Sequence, residues 1–142
     1  MNDAPIDWRR GDFVVSTDRG RIDAGRALAL LRETSWGGGL TLPVLRTAIA
    51  HSVCFGLYRG KDLHGLARVV TDLATYGYLT DVVVAEESRG LGLGRFMMEC
   101  VLEHPRLQGF RRMALLTLDA AGLYAALGFT EGPGDLTYME RR

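Results

Sequence analysis

The sequence has few cysteines, no long apolar run and no excess of either charge, and each lack excludes something. Only two cysteines occur in the 142 residues. Cys54 stands in a strand-like run and Cys100 on an apolar helix stripe. They read as two core thiols, too few for a disulfide framework and unable to make a metal site alone. Lys+Arg and Asp+Glu both number 17, so no global field draws the chain to nucleic acid or to an anionic membrane. No apolar run reaches the roughly 20 residues of a membrane span, and the opening MNDAPIDWRRGD has no signal-peptide core. Internal repeats and low-complexity tracts are also missing. The expectation is a cytoplasmic, reduced, metal-free protein with neither nucleic acid nor membrane as partner.

What is present is an ordinary globular mixture, 47% hydrophobic and 24% charged. Its length suits one domain, residues 1–142, with residues 1–10 as a loose N-terminal arm. Residues 13–16 read as a short strand. Asp23 is placed to cap a helix running to Glu33, with Ala27, Leu30, Leu31 and Thr34 inward. Ser35, Trp36 and three glycines break it. Thr41 then caps a second helix, with Pro43 in its first turn and Leu42, Leu45 and Ile49 along one face. From Val53 the pattern turns to strands: VCFGLY, a turn over residues 59–62, LHGLARVV, and a lead over residues 72–78 into a third strand, together an antiparallel meander. Further on, residues 113–118 read as a buried strand and Asp119 as the cap of a short helix over residues 120–127. Gly128 and Phe129 stop that helix, and residues 136–139 read as a closing strand. His51 and His64 sit near element ends and read as solvated.

The stretch from Thr80 to His104 is the most informative. Residues 79–84 are apolar apart from Thr80 and Asp81 and rich in β-branched residues, as in a strand buried on both faces. From Leu93 the apolar residues Phe96, Met97, Cys100 and Val101 recur at helical spacing, giving one buried stripe. Between strand and helix lies Arg89-Gly90-Leu91-Gly92-Leu93-Gly94-Arg95. Glycines let a ligand approach the backbone, and successive N–H groups can converge at the start of the helix. Converging donors and the positive end of the helix dipole favour an anion, most simply a phosphate, with Arg89 and Arg95 flanking it. A nucleoside-triphosphate loop needs Lys followed by Ser or Thr after its last glycine; Arg95 and Phe96 stand there instead. The spacing GxGxG also departs from the dinucleotide pattern GxGxxG. A glycine-rich structural turn is the plain alternative.

RGLGLG, preceded by VVV and a polar turn, resembles the (R/Q)xxGx(G/A) acyl-CoA pyrophosphate loop of the GNAT acetyltransferase superfamily. DAAGLYAALGF resembles that family's second motif, with Ala120, Leu123, Tyr124, Gly128 and Phe129 in place. The order of elements is similar too. The resemblance implies an α/β fold with a mixed, twisted central sheet, splayed beside the central strand and flanked by helices. It also implies an N-acetyltransferase with acetyl-CoA as donor co-substrate and no metal, passing the acetyl group to a primary amine by direct attack on the thioester. A non-catalytic acyl-CoA-binding module of the same fold is the alternative.

Residue by residue, the resemblance puts the pantetheine arm against Val82, Val83 and Val84, with a backbone N–H there as oxyanion donor. It puts the pyrophosphate on residues 89–95, and Thr117, Asp119 and Ala120 beside the cofactor. Thr117 replaces the asparagine that many members use for the pantetheine amide; its hydroxyl can still hydrogen-bond. Tyr124, expected at the exposed start of the short helix, matches the tyrosine that protonates the leaving thiolate. Asp81, the one carboxylate inside the central strand, is costly there unless bonded or used, so it is either the general base or a structural acceptor. Trp36, Tyr76 and Tyr78 are candidates for an aromatic wall around the acceptor, a small-molecule amine or a peptide amine, although for Trp36 packing of the joint between two helices is the favoured reading. Nothing in the sequence speaks against a homodimer.

Overall fold

Two tight hairpins and one helical crossover thread the sheet. In the computed structural model, which describes residues 3–34 and 37–142, β1 (Asp7–Arg10) turns through Gly11 and Asp12 into β2 (Phe13–Ser16). The residues expected as a loose arm therefore include an edge strand, which lays Trp8 opposite Val15. β3 (Val53–Arg59), β4 (Asp62–Thr71) and β5 (Tyr76–Val84) form the expected antiparallel meander. After β5 the chain crosses through α3 (Leu93–Glu103) to β6 (Arg112–Leu115), which lies parallel to β5. The sheet order is β1-β2-β3-β4-β5-β6.

The alternation of side chains across the strands feeds two cores. On one face Phe55, Leu57, Ala67, Val69 and Leu79 pack with the α3 stripe of Phe96, Met97, Cys100 and Val101. On the other, Cys54, Tyr58, Leu66 and Val83 pack under α1 (Ala24–Arg32) and α2 (Leu42–Ala50) through Ala27, Leu30, Leu31, Leu45 and Ile49. Burying each large apolar side chain is worth about 1.5–3 kcal/mol, so the sheet is held from both sides. Both cysteines are buried and unbridged. Asp23 caps α1, its Oδ1 accepting from Arg26 N at 3.1 Å. Thr41 precedes α2 without a side-chain cap bond.

The C-terminal part departs from expectation. α4 (Ala121–Ala126) starts after Ala120, and no side chain caps it at that position. Asp119 is exposed, and it is the Thr117 hydroxyl that accepts from Ala120 N at 3.0 Å. Residues 136–139 form no strand; Leu136, Tyr138 and Met139 are 59%, 65% and 84% exposed. A four-residue apolar run gains strand structure only from a paired neighbour, and none of the six strands pairs with it.

Candidate active site

β5 changes phase in its middle, and this creates the opening. In its register with β4, Leu66 faces Val83 and Arg68 faces Thr80, so Asp81 and Val82 together oppose the single residue Ala67. That is a β-bulge, and Asp81 carries its strain at a φ of 54°, a left-handed conformation that Asp tolerates better than most side chains. The phase change shows in the packing: Leu79 and Val83, four apart on one strand, lie in opposite cores. Pairing with β6 ends at the same place, since Leu79 opposite Leu115 is the last parallel pair. Beyond it, residues 80–84 of β5 have no β6 partner, and Leu116 and Leu118 swing out, 60% and 86% exposed. The expected splay is thus built by a bulge and by a short β6.

The open edge leads into the glycine loop. Val84 O accepts from Arg89 Nε at 3.0 Å, so the Val84 backbone faces away from β4. By alternation Val82 presents its N–H and C=O to the same open side, while Val83 faces β4. A short 3-10 turn, Glu86–Ser88, brings the chain to Gly90 and Gly92, at φ of 80° and 73°. Gly92 is the N-cap of α3, and no side chain caps that end. Space in front of the loop is free: a Cβ at Gly90 or Gly92 would meet nothing within 4 Å, and one at Gly94 only Val84 Cγ2 at 4.0 Å. The glycines at the start of α3 thus border open space, next to a half-strand without a β6 partner. Leu91 is exposed and Leu93 buried. Arg95 turns along the helix toward Glu99 at 3.9 Å, a half-exposed pair that holds it weakly.

Tyr124 packs in the core on the α3 side of the sheet. Contrary to its expected exposed position at the helix start, it is the buried residue of α4, 8% exposed, edge-on to Phe129 with centroids 5.8 Å apart. Burial pushes its phenol pKa upward, which keeps it a neutral proton donor. Tyr58 Oη is the one fully buried side-chain polar atom left unbonded among the described residues; the Tyr124 hydroxyl, with no hydrogen-bond partner there either, is therefore not fully buried.

Asp81 is not free. Its Oδ2 takes Arg68 Nε at 3.0 Å and Nη2 at 2.9 Å, with both side chains about 15% exposed (15% and 14%). Arg68 also reaches Ser52 Oγ at 3.5 Å, and Ser52 Oγ donates to Ala48 O. Sequence reasoning noted that Asp81 needed a partner and missed Arg68, whose place opposite Thr80 was the available signal. Tyr76 and Tyr78 lie on one face of β5, Tyr76 being 40% exposed. Burial raises the Tyr78 phenol, and Tyr138, Tyr76, Asp81 and Glu140 add in the same direction. Trp36 lies outside the described residues. His64, expected in solvent, instead bonds Ser88 Oγ through Nδ1 at 2.7 Å and meets Phe13 edge-on at 5.8 Å. Among the described residues no group of three or more His, Cys, Asp or Glu side chains could hold a metal ion, and no helix is long and apolar enough to cross a membrane.

Comparison with known proteins agrees with this geometry. Residues 27–129 match the model of the acetyltransferase (GNAT) family. A Gibberella zeae protein assigned as an acetyltransferase is 37% identical over 143 residues, covering 84% of this chain and 80% of that one. Mouse N-alpha-acetyltransferase 80 is 36% identical over 92 residues, 58% of this chain and 29% of that one. The crystal structure of a Xanthomonas campestris protein assigned to the same family superimposes with a TM-score of 0.89 at 41% identity, covering 94% of this chain and 95% of that one.

Proposed function

The chain belongs to the GNAT acetyltransferase family, and from that premise we propose that it moves the acetyl group of acetyl-CoA to a primary amine by direct attack, with Tyr124 as the acid. The observation that carries the proposal is the unpaired half of β5 running into the uncapped start of α3. One edge offers strand-like backbone bonds to an amide-bearing arm, and the other offers converging N–H groups to a diphosphate. The residues fit acetyl-CoA: Val82, Val83 and Val84 along the arm, residues 89–95 at the pyrophosphate, and Thr117, Asp119 and Ala120 across the cleft. The thioester supplies an already activated acyl group. Everything else falls to the chain.

Three tasks follow for the chain. The Val82 N–H, on the open side of the bulge, donates to the developing oxyanion, a role worth several kcal/mol when the donor is fixed in advance. Tyr124, neutral and with its hydroxyl not fully buried, gives its proton to the departing thiolate. The acceptor ammonium must also lose a proton. For Asp81 to take it, the carboxylate would have to give up part of its two-nitrogen hold on Arg68, so we assign that removal to water. Tyr76 and Tyr78 form the wall against which the acceptor rests, a small-molecule amine or a peptide amine. The likeness to a mouse protein named for N-alpha acetylation is a reason to put free α-amino groups in the first acceptor panel.

The experiment is thiol release from acetyl-CoA against amines, polyamines, amino sugars, amino acids and peptides, repeated with Tyr124→Phe. The ring and its contact with Phe129 are kept and one proton is removed. Turnover should fall by about 100-fold to 10,000-fold with acetyl-CoA affinity and melting temperature nearly unchanged. Wild-type turnover in the variant, with chemistry limiting, would make Tyr124 a packing residue. Tight acetyl-CoA binding with no thiol release for any acceptor would favour a binding module instead.

A further inference from the structure

We infer that Arg68 is a positioning residue for the reaction: by gripping Asp81 it fixes the bulge that turns the Val82 N–H toward the opening of the sheet. This rests on the reading of the cleft as an acetyl-transfer site. The bulge is a strained feature, since Asp81 is one of two non-glycine residues with positive φ among the described residues, and such a conformation persists only where its surroundings hold it. The holding contacts are on the page. Arg68 sits on β4 directly opposite Thr80, the residue before the bulge, and places two nitrogens on Asp81 Oδ2. Its third nitrogen reaches Ser52 Oγ, which is anchored on the α2 carbonyl of Ala48. A planar guanidinium with three fixed contacts sets the direction of the carboxylate, and the Cα of a short side chain follows its carboxylate.

The consequence is a matter of phase. Without the extra residue, alternation along β5 would put Val83 in the core that holds Leu79. The backbone of residue 82 would then face β4 instead of the opening. The ion pair thus has a role separate from proton transfer. It decides which N–H of β5 meets the acyl oxygen. Other charged groups do not substitute for it: the next arginine along the chain, Arg89 in the glycine loop, is committed to Val84 O, and Arg19 holds the Ala50 carbonyl at 3.0 Å.

The test uses the full chain and four variants, Arg68→Met, Arg68→Lys, Asp81→Asn and the Arg68→Met/Asp81→Asn double. Acetyl-CoA affinity is measured by calorimetry, and kcat against pH by thiol release with the best acceptor of the amine panel. The Val82 amide resonance is followed by heteronuclear NMR. Arg68→Met should lower kcat about 10-fold to 100-fold, the scale of a misplacement near 1 Å. Affinity for acetyl-CoA should change little, the limbs of the pH profile should stay in place, and the Val82 amide should shift. Arg68→Lys should recover only part of the loss, because an ammonium cannot grip bidentately. The double variant should be no slower than the slower single one, the sign of one shared interaction.

Two results overturn the inference. If Asp81→Asn abolishes the acidic limb and Arg68→Met moves that limb to higher pH, Asp81 is the base. If kcat and the Val82 amide stay at wild-type values in Arg68→Lys and Asp81→Asn, the pair positions nothing. Should Arg68→Met not fold, Arg68→Lys decides by the same readouts. Failure of the wild-type chain to bind acetyl-CoA would refute the functional reading instead, and the Val82 resonance would still test the bulge.

Discussion

The β5–α3 unit has a closed end and an open end, and the chain treats them oppositely. At the closed end, residues 77–79 are paired with β4 on one side and β6 on the other. The last carbonyls of α3 are likewise met by the chain itself: Gln108 Nε2 donates to Leu102 O at 2.6 Å and to His104 O at 3.1 Å. At the open end, residues 80–84 have β4 alone, and the first turn of α3 has a glycine cap with no side-chain acceptor. Backbone polar groups are expensive to leave unmet inside a protein. Where a fold leaves a row of them facing a concavity, the natural counterpart is a ligand that brings its own donors and acceptors. The closed end pins the geometry, and the open end leaves backbone groups available to a ligand.

The contrast can be broken most severely at the junction. Leu79 is the last residue paired on both sides and 3% exposed in the α3 core. Leu79→Ala should destabilise the fold by about 2–5 kcal/mol, the cost of a buried methylene deletion with its cavity. Urea melts should show it, while acetyl-CoA affinity measured well below the transition stays close to wild type. A large affinity loss with little destabilisation would mean the two ends are one cooperative unit. The open end should respond in reverse. Gly92→Val finds no steric neighbour, yet it must adopt a φ of 73°, and its side chain fills the space where a phosphate would sit. The strain alone is about 1–2 kcal/mol. We expect acetyl-CoA affinity to fall by about 100-fold or more, each tenfold being about 1.4 kcal/mol, with a modest drop in melting temperature. Unchanged affinity by calorimetry would remove the glycine loop from the site.

The same contrast explains what could be read from the sequence. The closed features are written in periodicity: the meander, the α3 stripe and the two helices over the second core all show as apolar spacing. The glycine loop showed too, because its residues make little sense except as close-approach backbone. The bulge did not, since a phase change of one residue leaves no mark in a run such as TDVVV. Its one trace was the misplaced carboxylate of Asp81, whose partner lies thirteen positions away across the sheet. β1 escaped because DWRR has a single apolar residue, Trp8, among three charged ones, too little for an alternation signal, although Gly11-Asp12 ahead of FVVS was a two-residue hairpin signal. The closing strand over residues 136–139 failed for the opposite reason: its side chains suit a strand, but the fold gives it no edge to pair with.

The smallest effect concerns the closed end alone. His104 ends α3 with its ring 6% exposed, near Trp8 and Phe55 at centroid distances of 6.5 and 5.7 Å. Its Nδ1 accepts from Arg106 N at 3.1 Å, so that nitrogen carries no proton. Burial pulls its pKa below the ordinary 6.5 and the Arg106 charge adds to this, while Asp3 opposes it. The sign follows from linkage. The unfolded chain takes up the proton first as pH falls through the ordinary value, and the folded chain resists until its own lower value. Stability should therefore be full above about pH 7 and decline as pH drops through 6.5. Urea midpoints between about pH 8 and about pH 5.5 measure the slope. His104→Asn offers an oxygen acceptor without a titrating ring and should flatten that slope, with acetyl-CoA affinity unaffected at either pH. A slope that persists in the variant would place the titrating group elsewhere. A slope matched by a pH-dependent loss of acetyl-CoA binding would show that the closed end reports to the open one along α3.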